Sequence, residues 1–235
     1  MDIVYLVKNG RENEELIYSL RTIKNIPHDK VFIVGGCPDE INKEKVIHVQ
    51  VLQTGNKYQN TTNNLELICK DPRLSEEFIL MNDDFFIINP IIDPKKELNL
   101  SRGTVEKVVE EYTKIYGKDA NLYILGMRQT KIFLEDIGIK NPLSYELHIP
   151  IVMDKTGVLR VLSLPNIKSL RVIHKRTIYG NLNKKDSKIT TDVKVNGRSY
   201  TPIYNDKFLS TADDTWNYVK PYIHGLFPEK GEYEL

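Results

Sequence analysis

Apolar and polar positions fall into short, sharply bounded blocks over the first 85 residues. DIVYLV (2–7) is an apolar run that stops at Lys8-Asn9-Gly10, which predicts a buried strand ending in a loop. From Glu12 to Lys24, Leu16, Ile17, Leu20 and Ile23 recur at steps of one, three and three, the spacing of a helix with one covered face. Pro27 breaks that pattern. KVFIVGG (30–36) and VIHVQV (46–51) read as the second and third strands. Asn60–Lys70 reads as a helix that Asp71-Pro72 terminates. FILM (78–81) is a fourth strand, running directly into Asn82-Asp83-Asp84.

Strand, helix, strand, strand, helix, strand implies crossover connections, hence an α/β fold with a mostly parallel central sheet flanked by helices. Ligands of such sheets bind beyond the carboxyl ends of the strands. Asn9-Gly10, Gly35-Gly36 and Asn82-Asp83-Asp84 all follow strands, so one sheet edge is expected to collect them. Further on, helices are expected over 104–117, 128–137, 150–163 and about 214–226, the last ended by Pro228. ITTDVKV and RSYTPI flank Asn196-Gly197, a strong hairpin signal, and predict a small hairpin-containing insertion over 189–203. Without repeat or linker, the chain reads as one domain over 1–235.

Composition acts by exclusion. Hydrophobic residues at 40% and charged residues at 28% are ordinary for a globular chain and rule out disordered, collagen-like and coiled-coil classes. A net charge of +1 provides no global field toward nucleic acid or acidic membrane. Two cysteines, Cys37 and Cys69, are too few for a disulfide scaffold and read as free thiols. No apolar run reaches the roughly 18–20 residues of a membrane span, and the opening MDIVYLVKNG is not a signal peptide, so the expected location is cytoplasmic. GxGxxG, Walker, HExxH and GxSxG motifs are absent, which removes support from most nucleotide, protease and esterase readings.

Candidate chemistry centres on Asn82-Asp83-Asp84. Adjacent carboxylates after a buried strand are costly unless a cation neutralises them, and Mg²⁺ or Mn²⁺ commonly takes one or two carboxylates plus substrate phosphate oxygens. The alternative is a solvated turn that merely caps the strand. Asn63 and Glu66 have capping-box spacing, so Glu66 would either satisfy a backbone donor or, at an amide-rich helix start, face sugar hydroxyls and phosphate. His148 precedes Ile149-Pro150 and is held in extended backbone ahead of a helix, as a catalyst or as a structural residue. Arg171, His174, Lys175 and Arg176 crowd into six residues. They form either a solvated basic face or a phosphate clamp, for which arginine geometry is suited. Asp213-Asp214 either caps the last helix or adds acid to the site.

Taken in order, these segments resemble the four regions of the Stealth family, sugar-phosphate transferases of capsule synthesis that include the lysosomal-enzyme GlcNAc-1-phosphotransferase. Asp2-Ile3-Val4-Tyr5 with Asn9-Gly10 resembles the first. Arg11, Glu15-Leu16, Tyr18-Ser19-Leu20-Arg21, Phe32-Ile33-Val34 and Leu74–Ile79 ending in Asn82-Asp83-Asp84 resemble the second. Leu147-His148-Ile149-Pro150 with Asp154-Lys155 resembles the third, and Phe208–Thr211 through Phe227-Pro228, with Tyr233-Glu234, the fourth.

The resemblance implies a GT-A-like fold, a nucleotide-diphosphate-sugar donor and a divalent metal, Mg²⁺ or Mn²⁺, at Asp83 and Asp84. It implies catalytic roles for Asp84, His148, Arg176 (over Arg171) and Glu66, the last with a one-residue slip in spacing. Asn9, Gly10, Arg11 and Asn82 would bind the donor, within a nucleotide-sugar half over 1–92; residues 93–235 would form an acceptor half. The expected reaction moves sugar-1-phosphate to an acceptor hydroxyl. Two alternatives stand beside it. One is a GT-A glycosyltransferase acting on a wall polymer or a modified base of phage DNA, with Lys168, Arg171, Lys175, Arg176, Lys184 and Lys185 meeting nucleic-acid phosphates. The other is a non-catalytic sugar- or nucleotide-binding module.

Overall fold

The computed structural model describes residues 1–10, 12–117, 121–197 and 206–235. Among them the elements run β1 (Asp2–Val7), α1 (Glu14–Thr22), β2 (Val31–Gly35), β3 (Ile47–Val49), α2 (Lys57–Cys69) and β4 (Glu77–Met81). Then come β5 (Phe85–Ile87), α3 (Pro94–Glu97), β6 (Leu100–Ser101), α4 (Val105–Tyr116) and α5 (Leu122–Asp136). The chain closes with β7 (Ile151–Asp154), α6 (Lys155–Leu162), α7 (Lys175–Asn183), β8 (Lys188–Ile189), β9 (Phe208–Ser210) and α8 (Trp216–Leu226).

The central sheet has the order β3-β2-β1-β4-β7, parallel throughout except that β7 runs antiparallel to β4. Successive strand side chains point to opposite faces, and both faces are covered. Ile3, Tyr5, Val7, Ile33, Ile79 and Met81 pack with Leu16 and Leu20 of α1. Val4, Leu6, Phe32, Val34, Phe78 and Leu80 pack with Leu65 and Ile68 of α2, Val158 and Val161 of α6, and Ile178 and Tyr179 of α7. The predicted α/β sandwich with a mostly parallel sheet is therefore the fold. A second layer of strands, β5 with β9, carries Phe86 and Leu209 against Trp216, Val219 and Ile223 of α8.

Three local expectations are corrected. Residues 150–163 do not form one helix: Ile151–Asp154 pairs as β7, and Asp154 then accepts the Gly157 N–H at 2.5 Å to begin α6. A short apolar run carries no period that separates buried strand from buried helix. The helix expected over Asn60–Lys70 starts at Lys57, because Asn56 and Gln59 form the capping box that Asn63 and Glu66 were expected to form. The helix expected over 128–137 starts at Leu122, capped by the Asn121 side chain. As for the hairpin, Lys188–Ile189 pairs with Leu100–Ser101 and Lys194 bridges Ser210, while the second arm, 198–203, lies outside the described residues. Cys37 and Cys69 are free thiols. Among the described residues no helix is long and apolar enough to cross a membrane.

α7, which the sequence reading passes over, is seated on the Tyr145 ring through Gly180, where an added Cβ would lie 2.3 Å from the nearest ring carbon. Tyr145 is buried. Gly180→Ala should therefore overpack this seam and cost about 1–3 kcal/mol, read as a lower urea midpoint; an unchanged midpoint would show that the ring has room to move.

Candidate active site

The antiparallel direction of β7 builds the site. Leu80 near the end of β4 pairs with Ile151 at the start of β7. His148, three residues before Ile151, and Asn82, two residues after Leu80, therefore meet at the carboxyl edge of the sheet. Immediately beyond lies Phe85, 1% exposed. The His148 ring stands edge-on to it at 6.2 Å and the Arg176 guanidinium lies 5.7 Å from its centroid. Leu6, Tyr58, Asn82, Phe85, Glu146, His148, Lys175 and Arg176 help to line a cavity of about 290 Å³. That volume sits near the lower end of the roughly 300–1,000 Å³ range of small-molecule sites.

The wall from α7 is cationic. Arg176 is 8% exposed; one guanidinium nitrogen donates to the Ile149 carbonyl at 2.5 Å and its Nε has no hydrogen-bond partner. Lys175 donates to the Thr61 hydroxyl at 3.0 Å, and burial pushes its ammonium down to about 8, against the pull of Glu146. Burial works to raise the Glu146 carboxyl, but His174, Arg176 and Lys175 overcome it and hold it at about 2. One fixed carboxylate faces the buried Arg176 and the half-buried Lys175, so the wall suits an anion.

His148 is oriented by a residue that sequence reasoning missed. Its Nδ1 lies 2.8 Å from Asp192 Oδ2, and the other Asp192 oxygen accepts the backbone N–H groups of His148 and Val193. Burial opposes the Asp192 charge, but His148 and Arg102 hold its carboxyl well below the usual carboxylate range. An ionised carboxylate only accepts, so Nδ1 carries the proton and Nε2 is left for a ligand. No local motif marks Asp192; its only sequence signal is a lone acid within the apolar alternation of 189–195.

Asp83 and Asp84 open β5. Asp83 accepts the Asn13 amide at 2.6 Å, from the residue that also caps α1. Asp84 is paired with Lys194 at 3.0 Å. Burial first, and then the Asp84 charge, push the Asp83 carboxyl up to about 6 despite the Asn13 bond. Burial also dominates at Glu15, raised to about 7 with Asp84, Asp83 and Asp213 adding to the rise and the Thr211 hydroxyl opposing it. This surplus of negative charge and its all-oxygen donor set fit a hard divalent cation that draws its remaining ligands from phosphate oxygens and water. Among the described residues no group of three or more His, Cys, Asp or Glu is placed to hold a metal ion, so Asp83 and Asp84 would be its only carboxylate ligands.

Of the other expected site residues that are described, Asn9, Gly10 and Glu66 do not line the cavity. Asn9 and Gly10 do sit at the same sheet edge, but the Asn9 amide is committed to the Val51 carbonyl and its N–H to Gln53. Arg11 lies outside the described residues. Glu66 points away from the His148 cavity, pairs with Lys70 at 2.6 Å, and lines a neighbouring depression with Asn63, Lys168 and Arg171, on the far side of Tyr58. The six cations of 168–185 form no single face: Lys175 and Arg176 line the cavity, whereas Lys168, Arg171 and Lys185 are exposed. Asp213 is an electrostatic neighbour of Glu15 and Lys194, and the Asp214 carboxylate closes on Gly197.

The sequence matches no family profile and no curated protein. Among solved structures, the chain is similar to the galactosyltransferase LgtC in complex with donor and acceptor sugar analogues, with a TM-score of 0.50 and 8% identity over 99% of this chain and 98% of that one. An active-site mutant of LgtC gives a TM-score of 0.49 at 9% identity, covering 99% of this chain and 98% of that one. The bifunctional glycosyltransferase WbbM gives 0.43 at 11% identity, over 81% of this chain and 38% of that one. The first similarity and the sheet order agree on the fold, the GT-A type with a mostly parallel sheet flanked by helices.

A carboxyl raised by folding stabilises the protein below its folded titration point and weakens it above. With Asp83 at about 6 against an ordinary 3.8, its charge opposes folding at neutral pH and that opposition fades as pH falls from 7 toward 4. Asp83→Asn should therefore gain about 1–3 kcal/mol at pH 7.5 and lose the gain near pH 4, measured by denaturation at both pH values. An equal effect at both would sink the assignment.

Proposed function

We propose that this chain is a transferase that takes a nucleotide-diphosphate sugar and moves its sugar-1-phosphate to an acceptor hydroxyl. The observation that carries this reading is the gathering of Asn82, His148 and Arg176 around the Phe85 ring, with Asp83 and Asp84 next to it in the chain. The Stealth resemblance supports the choice of phosphorus as the centre attacked. In this reading Lys175 and Arg176 bind the phosphate nearer the sugar and stabilise charge as it builds on the oxygens. His148 Nε2, with its ring fixed by Asp192, accepts the proton of the acceptor hydroxyl. The acceptor oxygen bonds to the sugar-linked phosphorus, and the nucleoside monophosphate leaves with the electrons of the broken P–O bond. Asp83 and Asp84 would hold Mg²⁺ or Mn²⁺, which supplies positive charge to the diphosphate when bound. The 1–92 half then contributes the acidic turn and the 93–235 half the base and the phosphate clamp. The acceptor is read as a glycan or polymer hydroxyl; the dispersal of the 168–185 cations leaves a nucleic-acid acceptor without support.

A second reading rests on the LgtC-like fold: attack at the anomeric carbon, with the nucleoside diphosphate leaving. A non-catalytic module would need neither the fixed His148 tautomer nor the oriented Asp192.

Purified protein incubated with a panel of nucleotide-diphosphate sugars, Mg²⁺ or Mn²⁺, and water as acceptor should release nucleoside monophosphate slowly. Release of nucleoside diphosphate would make the chain a glycosyltransferase. His148→Ala and Asp84→Ala should each lower that turnover by at least about 100-fold, with the circular dichroism spectrum unchanged, and wild-type turnover in either variant removes that residue from the mechanism.

A further inference from the structure

The Asp84 carboxylate, which the proposed reading gives to a divalent ion, already has a partner. Lys194 Nζ lies 3.0 Å from Asp84 Oδ2, with the two side chains 28% and 17% exposed. Backbone pairing fixes this approach. Phe85 pairs with Ser210 across β5 and β9, and Lys194 bridges the same Ser210 from the other side, so the lysine is held opposite the acidic turn. The Lys194 ammonium also has Asp192 and Asp213 as electrostatic neighbours. Asp83, by contrast, is met by the neutral Asn13 amide.

We propose that Lys194 is a built-in counter-ion for Asp84, which a divalent cation must displace before it can seat on the Asp83-Asp84 carboxylates. The proposal rests on the metal-dependent reading above and deepens it. A metal arriving alone must break a partly buried ion pair and move a like charge aside, so its affinity for the free protein is weakened. A metal arriving with a diphosphate offers the released ammonium new acceptor oxygens, which offsets that cost. Metal and donor therefore bind as a coupled pair, each tightening the other, and Lys194 is the residue that sets the coupling.

The experiment is calorimetric titration of the full chain with Mn²⁺ alone, then with Mn²⁺ in the presence of a nucleoside diphosphate. It compares the natural protein with Lys194→Met, Lys194→Arg and Asp84→Asn. Lys194→Met should bind Mn²⁺ alone about tenfold more tightly, and the extra tightening conferred by the diphosphate should shrink. Lys194→Arg, which keeps the charge, should bind Mn²⁺ as weakly as the natural protein, and Asp84→Asn should lose binding. Equal or weaker Mn²⁺ affinity in Lys194→Met would overturn the proposal, as would absence of Mn²⁺ binding in both proteins. Lys194→Gln replaces the methionine variant if that chain does not fold. These readouts need no turnover. A chain that behaves as expected here yet releases no nucleotide from any donor would overturn the transferase reading and keep this one.

Discussion

Everything at the carboxyl edge of the sheet is hung on the position of Phe85. Its carbonyl accepts the Ser19 hydroxyl at 2.5 Å, and Ser19 in turn meets the buried Tyr5 hydroxyl at 2.9 Å, so a chain of hydroxyls ties β5 to α1 and β1. Thr22, one helical turn further along α1, accepts the Ile87 N–H at 3.1 Å. These bonds are buried, where an unpaired partner costs about 1–3 kcal/mol. Fixed this way, the ring offers its surface to His148, just ahead of β7, and to Arg176 from α7, at contacts worth roughly 0.5–2 kcal/mol each. Two residues 28 positions apart in sequence are brought onto one aromatic surface, and the acidic turn is attached to it covalently.

Around the ring the charges alternate in sign. Asp84 meets Lys194, Lys194 is a neighbour of Asp192, and Asp192 binds both His148 and Arg102. Arg102 lies over the Tyr112 ring, 5.0 Å from its centroid. Alternation at this burial holds the Asp192 carboxyl below the usual carboxylate range and makes the cluster respond as a unit to an added charge. The surplus of acid lies at Glu15, Asp83 and Asp84, and the surplus of base at Lys175 and Arg176. A ligand with a cationic end and an anionic end, such as a metal-bound diphosphate, matches that polarity.

The sheet was legible because its strands are continuous apolar runs punctuated by Asn-Gly, Gly-Gly and Asn-Asp-Asp, and parallel crossovers gather such turns at one edge. β7 was not legible, because IVMD has too few residues to show a period, and its direction depends on Asp154 ending the strand and capping α6. The consequence is large: a helix from residue 150 gives no reason for His148 to stand beside Asn82, whereas an antiparallel strand requires it. Glu66 shows the opposite failure. Spacing from Asn63 gave it a plausible cap, but Asn56 wins because its carboxamide accepts from both Tyr58 and Gln59 and Gln59 reciprocates. Moving the helix start back to Lys57 leaves Glu66 in mid-helix, where a lysine four residues on is its natural partner. Asp192 and Lys194 were illegible for another reason, since their partners lie 44 and 110 residues away in sequence.

The cavity itself is left electrostatically incomplete. Arg176 Nε is buried with no acceptor, and Lys175 is held at about 8 by burial that one carboxylate does not overcome. Each is a cost to folding. Nothing in the packing of α7 requires two adjacent bases, one buried and one half-buried, at its first turn, since Ile178 and Tyr179 supply its contacts with the sheet. An anion bound between them supplies the missing acceptor and favours the charged form of the lysine. The same features that cost the fold stability would therefore favour a ligand that carries negative charge to the ring beside His148.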